Sequence, residues 1–304
     1  MKLRQHLWIA AALTAVAAAS ASAAPGASVP DFSGIWVHQW DPGFEALDSG
    51  PTALINLARK PDGRSNVAQL VGDYHNPILK PEAAETVRKL GEESKEHFGF
   101  HNPRNQCWPS GVPFILASNG MQIFDRGDHL TIIYRLDQQI RTVRMNATHP
   151  AKPVPSYYGD SVGHYEGDTL VIDTIAVKKG PFAMLDWFGT PQSTALHVVE
   201  RYRLLDYDHA KDGIRRAFKD NTINPNGVPP VNDLNYRGKW LQVLFTVDDP
   251  NVFTTPWSAT VTYGPQTTPP KGFGAWPEYV CAENPHKFGT EDDVQVPTAK
   301  AADF

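Results

Sequence analysis

The stretch YYGDSVGHYEGDTLVIDT, residues 157–174, predicts a β-hairpin. Its two arms meet at Glu166-Gly167-Asp168, where glycine supplies the positive φ that a tight turn requires. The second arm, residues 169–177, is rich in Thr, Val and Ile, which suit a pleated, half-buried surface. The first arm carries His164 and Glu166 two residues apart, and therefore on one face of the strand. Two ionisable side chains side by side mark this hairpin as a candidate functional site.

Seven further stretches have the composition and alternation of strands. The alternation is cleanest in residues 130–136 and 241–247, where every second residue is apolar. The predicted strands lie at 35–36, 121–124, 130–136, 139–145, 161–166, 169–177, 195–205, 239–247 and 258–263. Sequential strands with mostly short connections close most simply into an up-and-down barrel, because closure removes exposed edges. The predicted fold class is mostly β: a single antiparallel, lipocalin-like barrel of about eight to ten strands with one or two peripheral helices.

Helices are predicted outside the barrel. Residues 81–98 form the clearest one, because Pro81 suits the first helical position and apolar residues recur at helical spacing up to Leu90. Shorter helices are predicted near residues 54–59 and over residues 209–219. The helices at 54–59 and 81–98 belong to a helical and loop segment that precedes most of the strands.

The first 24 residues have the pattern of a secretory signal peptide. A positively charged start precedes an apolar run at residues 7–19 and small residues at 21–23, which predicts cleavage after Ala23 or Ala24. The apolar run is short for a membrane span. The cleavage site contains no cysteine, so a lipid anchor is not predicted. The protein is therefore expected in the periplasm or secreted.

The remaining chain, residues 25–304, is predicted to be one barrel domain. It has an N-terminal helical and loop segment at 43–118 and a proline-rich tail at 265–304. The formal net charge of the whole chain is −5, and neither nucleic acid nor an anionic membrane is predicted as a partner, because both require basic patches.

The chain has two cysteines, Cys107 and Cys281. In an exported protein a disulfide between them would form and persist, and we favour that pairing over two buried thiols. Two cysteines cannot form a cysteine-rich zinc site. A bridge would tie the C-terminal tail to the segment that enters the strand-rich region.

Several blocks of this sequence resemble a large family of exported, mostly uncharacterised bacterial proteins. The resemblance implies a lipocalin-like barrel and does not specify a reaction. The blocks that carry it are DFSGIW at 31–36, NQCW at 105–108, YGDSVGH at 158–164, EGDTLVIDT at 166–174, LHVVERY at 196–202 and EYVCAEN at 278–284.

Common catalytic motifs are missing from the sequence. There is no Gly-x-Ser-x-Gly nucleophile elbow, no His-Glu-x-x-His zinc motif and no glycine-rich nucleotide loop. His197 and Glu200 lie three apart on a predicted strand, so they face opposite sides and cannot share a metal ion. We therefore predict neither a metal nor a cofactor.

What remains is a set of acid–base residues. A histidine near its ordinary pKa can move a proton at neutral pH, and a neighbouring carboxylate fixes its tautomer. Tyrosine and arginine can stabilise developing negative charge. The predicted catalytic residues are His164, His197, Tyr158, Asp160, Glu166 and Glu200. The predicted substrate-binding residues are His149, Tyr157, Arg201, Trp36 and Tyr134. Each of them has an ordinary packing or surface role as its alternative.

The strand at 195–205 has two very different faces. One carries Leu196, Val198, Glu200, Tyr202 and Leu204, and the other carries His197, Val199, Arg201 and Arg203. We expect the polar face to line the barrel cavity, because a ligand-binding barrel needs some polar groups inside. If the apolar face is inside instead, Glu200 must be paired or protonated.

Two functional hypotheses follow. In the first, the barrel is a cofactor-independent lyase, isomerase or hydrolase that acts on a small aromatic or apolar compound. In the second, the barrel binds or carries such a compound without changing it. The first predicts histidine–carboxylate pairs inside the cavity, and the second predicts an apolar, aromatic-lined interior with ionisable groups outside.

Overall fold

The computed structural model of the chain describes residues 29–38, 41–96, 100–118, 120–220, 222–223, 233, 235–266 and 281. The predicted signal peptide and most of the predicted proline-rich tail lie outside these residues. The strands are β1 Gly34–Val37, β2 Asp41–Pro42, β3 Glu45–Ala46, β4 Gly120–Asp125, β5 His129–Tyr134, β6 Ile140–Met145, β7 Asp160–Glu166, β8 Thr169–Ile175, β9 His197–Leu205, β10 Thr222–Ile223, β11 Trp240–Asp248 and β12 Trp257–Pro265. The helices are α1 Pro81–Glu96 and α2 Tyr207–Asp220, with 3-10 turns at Phe114–Ala117 and Leu136–Gln138.

Nine strands close into a barrel in the order β1-β4-β5-β6-β7-β8-β9-β11-β12, and β12 pairs back to β1. The predicted β-barrel is confirmed, and each of its nine strands overlaps a predicted one. β3 pairs with the first half of β12, and β2 pairs with β10 in a separate small sheet. Closure between the first and last strands leaves the barrel without an open edge.

One seam of the barrel is parallel, so the prediction of a purely antiparallel barrel is wrong at this point. β6 and β7 run in the same direction and pair only at Arg144↔Val162 and Met145↔Gly163. The connection at residues 146–159 has about the dozen residues that a parallel crossover needs, so β7 starts from the same end of the barrel as β6. The seam has little backbone pairing to hold it.

The barrel interior is packed with side chains. The predicted apolar faces of β5 and β11 are confirmed as inward: Leu130, Ile132 and Tyr134 are buried, and so are Leu241 and Val243. Aromatic rings from other strands fill the remaining space, among them those of Tyr202, Trp257 and Tyr263. Dense packing of this kind makes the inside of the barrel a hydrophobic core.

A buried ion pair lies within this core. Arg141 on β6 donates from Nη1 to Oε1 of Glu200 on β9 at 3.0 Å and from Nη2 to Oε2 at 2.5 Å. The same guanidinium donates to Ser161 Oγ on β7 at 3.1 Å and to Thr174 Oγ1 on β8 at 2.7 Å. Tyr202 donates its hydroxyl to Glu200 Oε1 at 3.0 Å. Arg141 therefore links four neighbouring strands across the parallel seam.

The peripheral elements follow the predictions with one exception. α1 and α2 are found where helices were expected, and α2 lies against β12. The prediction of a short helix near residues 54–59 is wrong, because these residues form a loop. Asn56 there donates from Nδ2 to Ser65 Oγ and to backbone carbonyls, and its Oδ1 accepts from the Ala58 and Val71 amides. An asparagine side chain that satisfies so many backbone groups stabilises a loop in place of a helix.

The predicted disulfide is confirmed. Cys107 and Cys281 are bonded with their Cα atoms 5.4 Å apart. A structural disulfide indicates an oxidising compartment outside the cytoplasm. Within the part of the chain that the structure describes, no helix has the length and apolarity needed to cross a membrane.

The Arg141–Glu200 pair yields a prediction about stability. Replacing Arg141 with Met leaves a buried carboxylate without its cation, and we expect the free energy of unfolding to fall by about 3–5 kcal/mol. The matched control is Arg203→Met, because Arg203 and its partner Asp168 are both exposed and their ion pair contributes at most about 1 kcal/mol. Urea denaturation measures the free energy of unfolding of both variants.

The double variant Arg141→Met/Glu200→Leu removes both charges together and should recover most of the lost stability. Equal losses for Arg141→Met and the exposed control would contradict the view that the buried pair holds the seam.

Candidate functional site

The acid–base residues of β7 and β9 lie on the outer wall of the barrel. The expectation that the polar face of β9 lines the cavity is wrong: Val198, Glu200 and Tyr202 are fully buried, whereas the His197 side chain is 40% exposed. The physical reason is that the apolar face dominates the burial energy, and Arg141 from β6 supplies the partner that Glu200 needs inside.

One cluster on this wall, which we call the Asp173 cluster, joins two histidines through a carboxylate. Asp173 Oδ1 on β8 lies 2.9 Å from His197 Nε2 and 3.1 Å from His149 Nε2. The other ring nitrogen of His149, Nδ1, lies 2.6 Å from Asp160 Oδ1. Arg144 donates to the same Asp160 oxygen at 2.7 Å. His149 and Asp160 are about four-fifths buried, so they are held more firmly than ordinary surface charges.

The geometry of the Asp173 cluster assigns different roles to its two imidazoles. His149 has a carboxylate oxygen on each ring nitrogen, and it can donate to both only as the imidazolium. His197 has Asp173 on Nε2, so we assign its neutral form the Nε2–H tautomer, with the lone pair on Nδ1. A carboxylate that orients an imidazole in this way is the arrangement used for general acid–base chemistry.

Sequence analysis missed two members of this cluster, Asp173 and Arg144. Asp173 is two residues from Val171 and from Ile175 on β8, and this alternation places it on the outer face of the hairpin, the same face as His164. That signal was present in the sequence. Arg144 carried no comparable signal, because its contact with Asp160 depends on the parallel seam.

A second cluster lies further along the same wall and contains His164, Glu166 and Arg201. Glu166 Oε2 accepts from Arg201 Nη1 at 2.7 Å, and Glu166 Oε1 lies 3.1 Å from His164 Nε2. These two contacts, with the Arg201 hydrogen bond the larger cause, lower the pKa of Glu166. All three side chains are well exposed, which weakens their interaction through solvent screening.

The strand register places apolar residues between the two clusters. Val162, Asp173 and Val199 form one row across β7, β8 and β9, and His164, Val171 and Arg201 form the next row. Val162 and Val171 are buried although they lie on the outer face. The outer wall is thus a short apolar floor with ionisable side chains around it. His164 and His197 share this wall but have different carboxylate partners.

The other predicted site residues lie elsewhere. Glu200 and Tyr134 are in the buried core, where burial raises the pKa of Tyr134. Trp36 is buried in the barrel core and donates its indole N–H to the Phe32 carbonyl at 2.9 Å. Tyr158 donates its hydroxyl to Gln139 at 2.9 Å, and the Tyr157 ring packs 6.0 Å from that of Trp108. The structure does not bring these five together with either outer cluster.

A small depression lies apart from the outer wall. It is lined by Gly43, Phe44, Leu54, Ala117, Asp186, Trp187 and Phe188. Asp186 is buried, and burial raises its pKa, but its carboxylate accepts hydrogen bonds from Phe188 and Thr190. These bonds give Asp186 a structural role in shaping its own loop. Over the described residues, no three His, Cys, Asp or Glu side chains are arranged to hold a metal ion.

The second cluster yields a prediction about titration. In Arg201→Gln the pKa of Glu166 should rise towards its ordinary value, and in His164→Gln it should rise less, because the Arg201 bond is the larger cause. Since the folded pKa lies below the unfolded one, the stability that Glu166 contributes is present above the unfolded pKa and is lost as the pH falls through the folded pKa.

Carboxyl ¹³C NMR across an acid titration measures this pKa. Arg203→Gln is the matched control, because Arg203 pairs with Asp168 and should leave the pKa of Glu166 nearly unchanged. A larger rise in the control than in Arg201→Gln would show that the pair does not persist in solution.

No protein-family model, no curated protein and no solved structure matches this chain. The resemblance to exported bacterial barrels therefore stays a prediction, and the case for a function rests on the two outer clusters.

Proposed function

We propose that this protein is a cofactor-independent acid–base enzyme of the lyase, isomerase or hydrolase type, acting on a small aromatic or apolar compound. The observation that carries the proposal is the contact of His197 Nε2 and His149 Nε2 with one oxygen of Asp173, at 2.9 and 3.1 Å. We place the reaction on the outer wall of the barrel.

In this proposal His197 is the general base. Asp173 orients its imidazole, so Nδ1 can take a proton from the substrate while the carboxylate stabilises the imidazolium that forms. His197 is the more exposed of the two histidines, which gives a substrate access to it. His149, held between Asp160 and Asp173, is a positioning residue that keeps Asp173 in place.

Other features of the wall support the substrate class. Val199, which is only partly buried and pairs with Asp173 in the register, provides apolar surface beside the histidines. Arg201, next to Val171 in the register, is a cation that can stabilise negative charge on a substrate oxygen. Glu166 on β7 accepts a hydrogen bond from Arg201 across β8, and His164 contacts the other oxygen of Glu166.

The packed interior supports this location over the barrel lumen. A carrier of the lipocalin type needs space inside its barrel, and here that space is filled by large side chains such as Tyr134 and Phe245. This weighs against the alternative hypothesis of a carrier that holds its ligand within the barrel. We further propose that the chain is exported to the periplasm or secreted after cleavage behind residue 23 or 24, which the disulfide supports.

The test is proton exchange in D₂O with a panel of aryl ketones, β-hydroxy esters and aryl esters, followed by ¹H NMR and mass spectrometry. A base that removes a carbon-bound proton returns deuterium, so the assay detects the chemistry even without net turnover. For a processed compound, His197→Gln and Asp173→Asn should each lower the rate at least about 100-fold, the size typical of general acid–base catalysis.

The matched control is His209→Gln, because His209 is an exposed histidine on α2 that pairs with a single carboxylate, Asp206. It should leave the rate unchanged, and thermal unfolding should show all variants folded. A compound processed at the same rate by His197→Gln would overturn the catalytic assignment. Failure of the wild-type protein to process any compound faster than buffer would favour binding without turnover.

A further inference from the structure

A second candidate site lies where loops from three parts of the chain meet. Trp108 follows the disulfide cysteine Cys107, Tyr157 belongs to the β6–β7 connection, and Phe182 belongs to the β8–β9 connection. The ring centroids of Tyr157 and Phe182 lie 6.0 and 6.2 Å from that of Trp108, and His101 lies 6.3 Å from Phe182. We call Trp108, Tyr157 and Phe182 the aromatic patch.

The rings of the aromatic patch keep surface available for a ligand. Trp108 is 38% exposed. In the described part of the chain, the other large hydrophobic residues that are exposed are aliphatic. The plane of the Trp108 ring is tilted by 60° to that of Tyr157 and by 56° to that of Phe182. The rings therefore do not cover one another by parallel stacking. An exposed tryptophan face is a favourable surface for a second aromatic ring.

The patch is held in place by tight packing. A Cβ at Gly180 would lie 2.9 Å from Tyr157 Cε1, and a Cβ at Gly111 would lie 3.1 Å from the Tyr157 carbonyl oxygen. Glycine at both positions therefore lets the Tyr157 segment approach closely. The disulfide anchors the residue next to Trp108. Rings that are already ordered lose little conformational entropy when a ligand binds.

A cation completes the patch. Lys178 Nζ lies 5.2 Å from the centroid of Tyr157, and Lys178 is exposed near the start of the same connection that carries Phe182. Among the described residues no carboxylate pairs with Lys178, although most exposed basic side chains of the outer wall are paired. The next residue, Lys179, is also exposed. Lys178 thus places a positive charge beside the Tyr157 ring in a chain whose net charge is −5.

We propose that the aromatic patch binds a small aromatic carboxylate, with the ligand ring against Trp108 and its carboxylate paired with Lys178. This goes beyond the proposed function, because the patch is formed by other residues than the outer wall and requires no turnover. Stacking on the rings selects an aromatic compound, and the lysine selects a negative charge over a neutral one.

Benzoate and benzamide, which have similar shape and differ in charge, are the probes. The Trp108 indole N–H resonance is assigned by its loss in Trp108→Phe, and its shift on titration gives the dissociation constants. Benzoate should bind more tightly than benzamide to the wild-type protein. Measured by isothermal calorimetry, because the indole signal is lost, Trp108→Ala should weaken both at least tenfold. Lys178→Gln should remove the preference for benzoate while leaving benzamide unchanged.

Three controls keep the outcome decisive. Lys89→Gln removes an exposed lysine on α1 and should change neither constant. Trp108→Phe keeps an aromatic ring and, measured by isothermal calorimetry, should bind benzoate within about threefold of wild type. His197→Gln should bind benzoate normally, so failure of this site and failure of the proposed catalytic site are distinguishable.

The proposal is overturned if benzoate gives no saturable shift, or if Trp108→Ala leaves both constants unchanged. Tighter binding of benzamide than of benzoate would overturn the assignment of an anionic ligand. An equal loss for both probes in Lys178→Gln would show that the lysine acts through the rings and would overturn its role in charge recognition.

Discussion

The barrel depends on one buried guanidinium. Arg141 extends inward from β6 and donates to side chains on β7, β8 and β9, where Glu200 accepts two of the bonds. The strands it joins include the parallel seam, which has backbone pairing at only two positions. Burial alone would lower the pKa of Arg141, but the Glu200 carboxylate raises it well above the ordinary value, so the guanidinium stays charged. Side-chain hydrogen bonds here replace the backbone ladder that holds the other strands together.

The same seam is crossed on the outside by the Asp173 cluster. Arg144 and Asp160 connect β6 to β7, and His149 extends the contact to Asp173 on β8 and through it to His197 on β9. The contacts of Arg144, Asp160 and His149 therefore serve both the stability of the seam and the proposed chemistry. His197 contributes less to holding the strands together, because its side chain is partly exposed and, among the described groups, contacts the cluster through Asp173 alone.

The loops at the aromatic patch show a different design. Their rings are ordered by a disulfide and by two glycines, whereas the strands are ordered by the barrel core. Loops positioned by a rigid scaffold are where binding residues concentrate, because they tolerate variation that the core does not. The outer wall and the aromatic patch are thus two surfaces with separate physical supports.

The sequence by itself determined the barrel strands and the helices α1 and α2 and favoured the disulfide, because alternation, helical periodicity and cysteine number are local or nearly local signals. It also placed His164, Glu166 and His197 on strands and stated that an inward Glu200 would need a partner. Only the tertiary structure decided which face of β9 is inside, because that depended on Arg141, 59 positions away in the chain. The parallel β6–β7 seam and the convergence of His149 on Asp160 and Asp173 were also decided there. These contacts join strands through a crossover loop, and residue spacing along the chain carries no information about where such a loop returns.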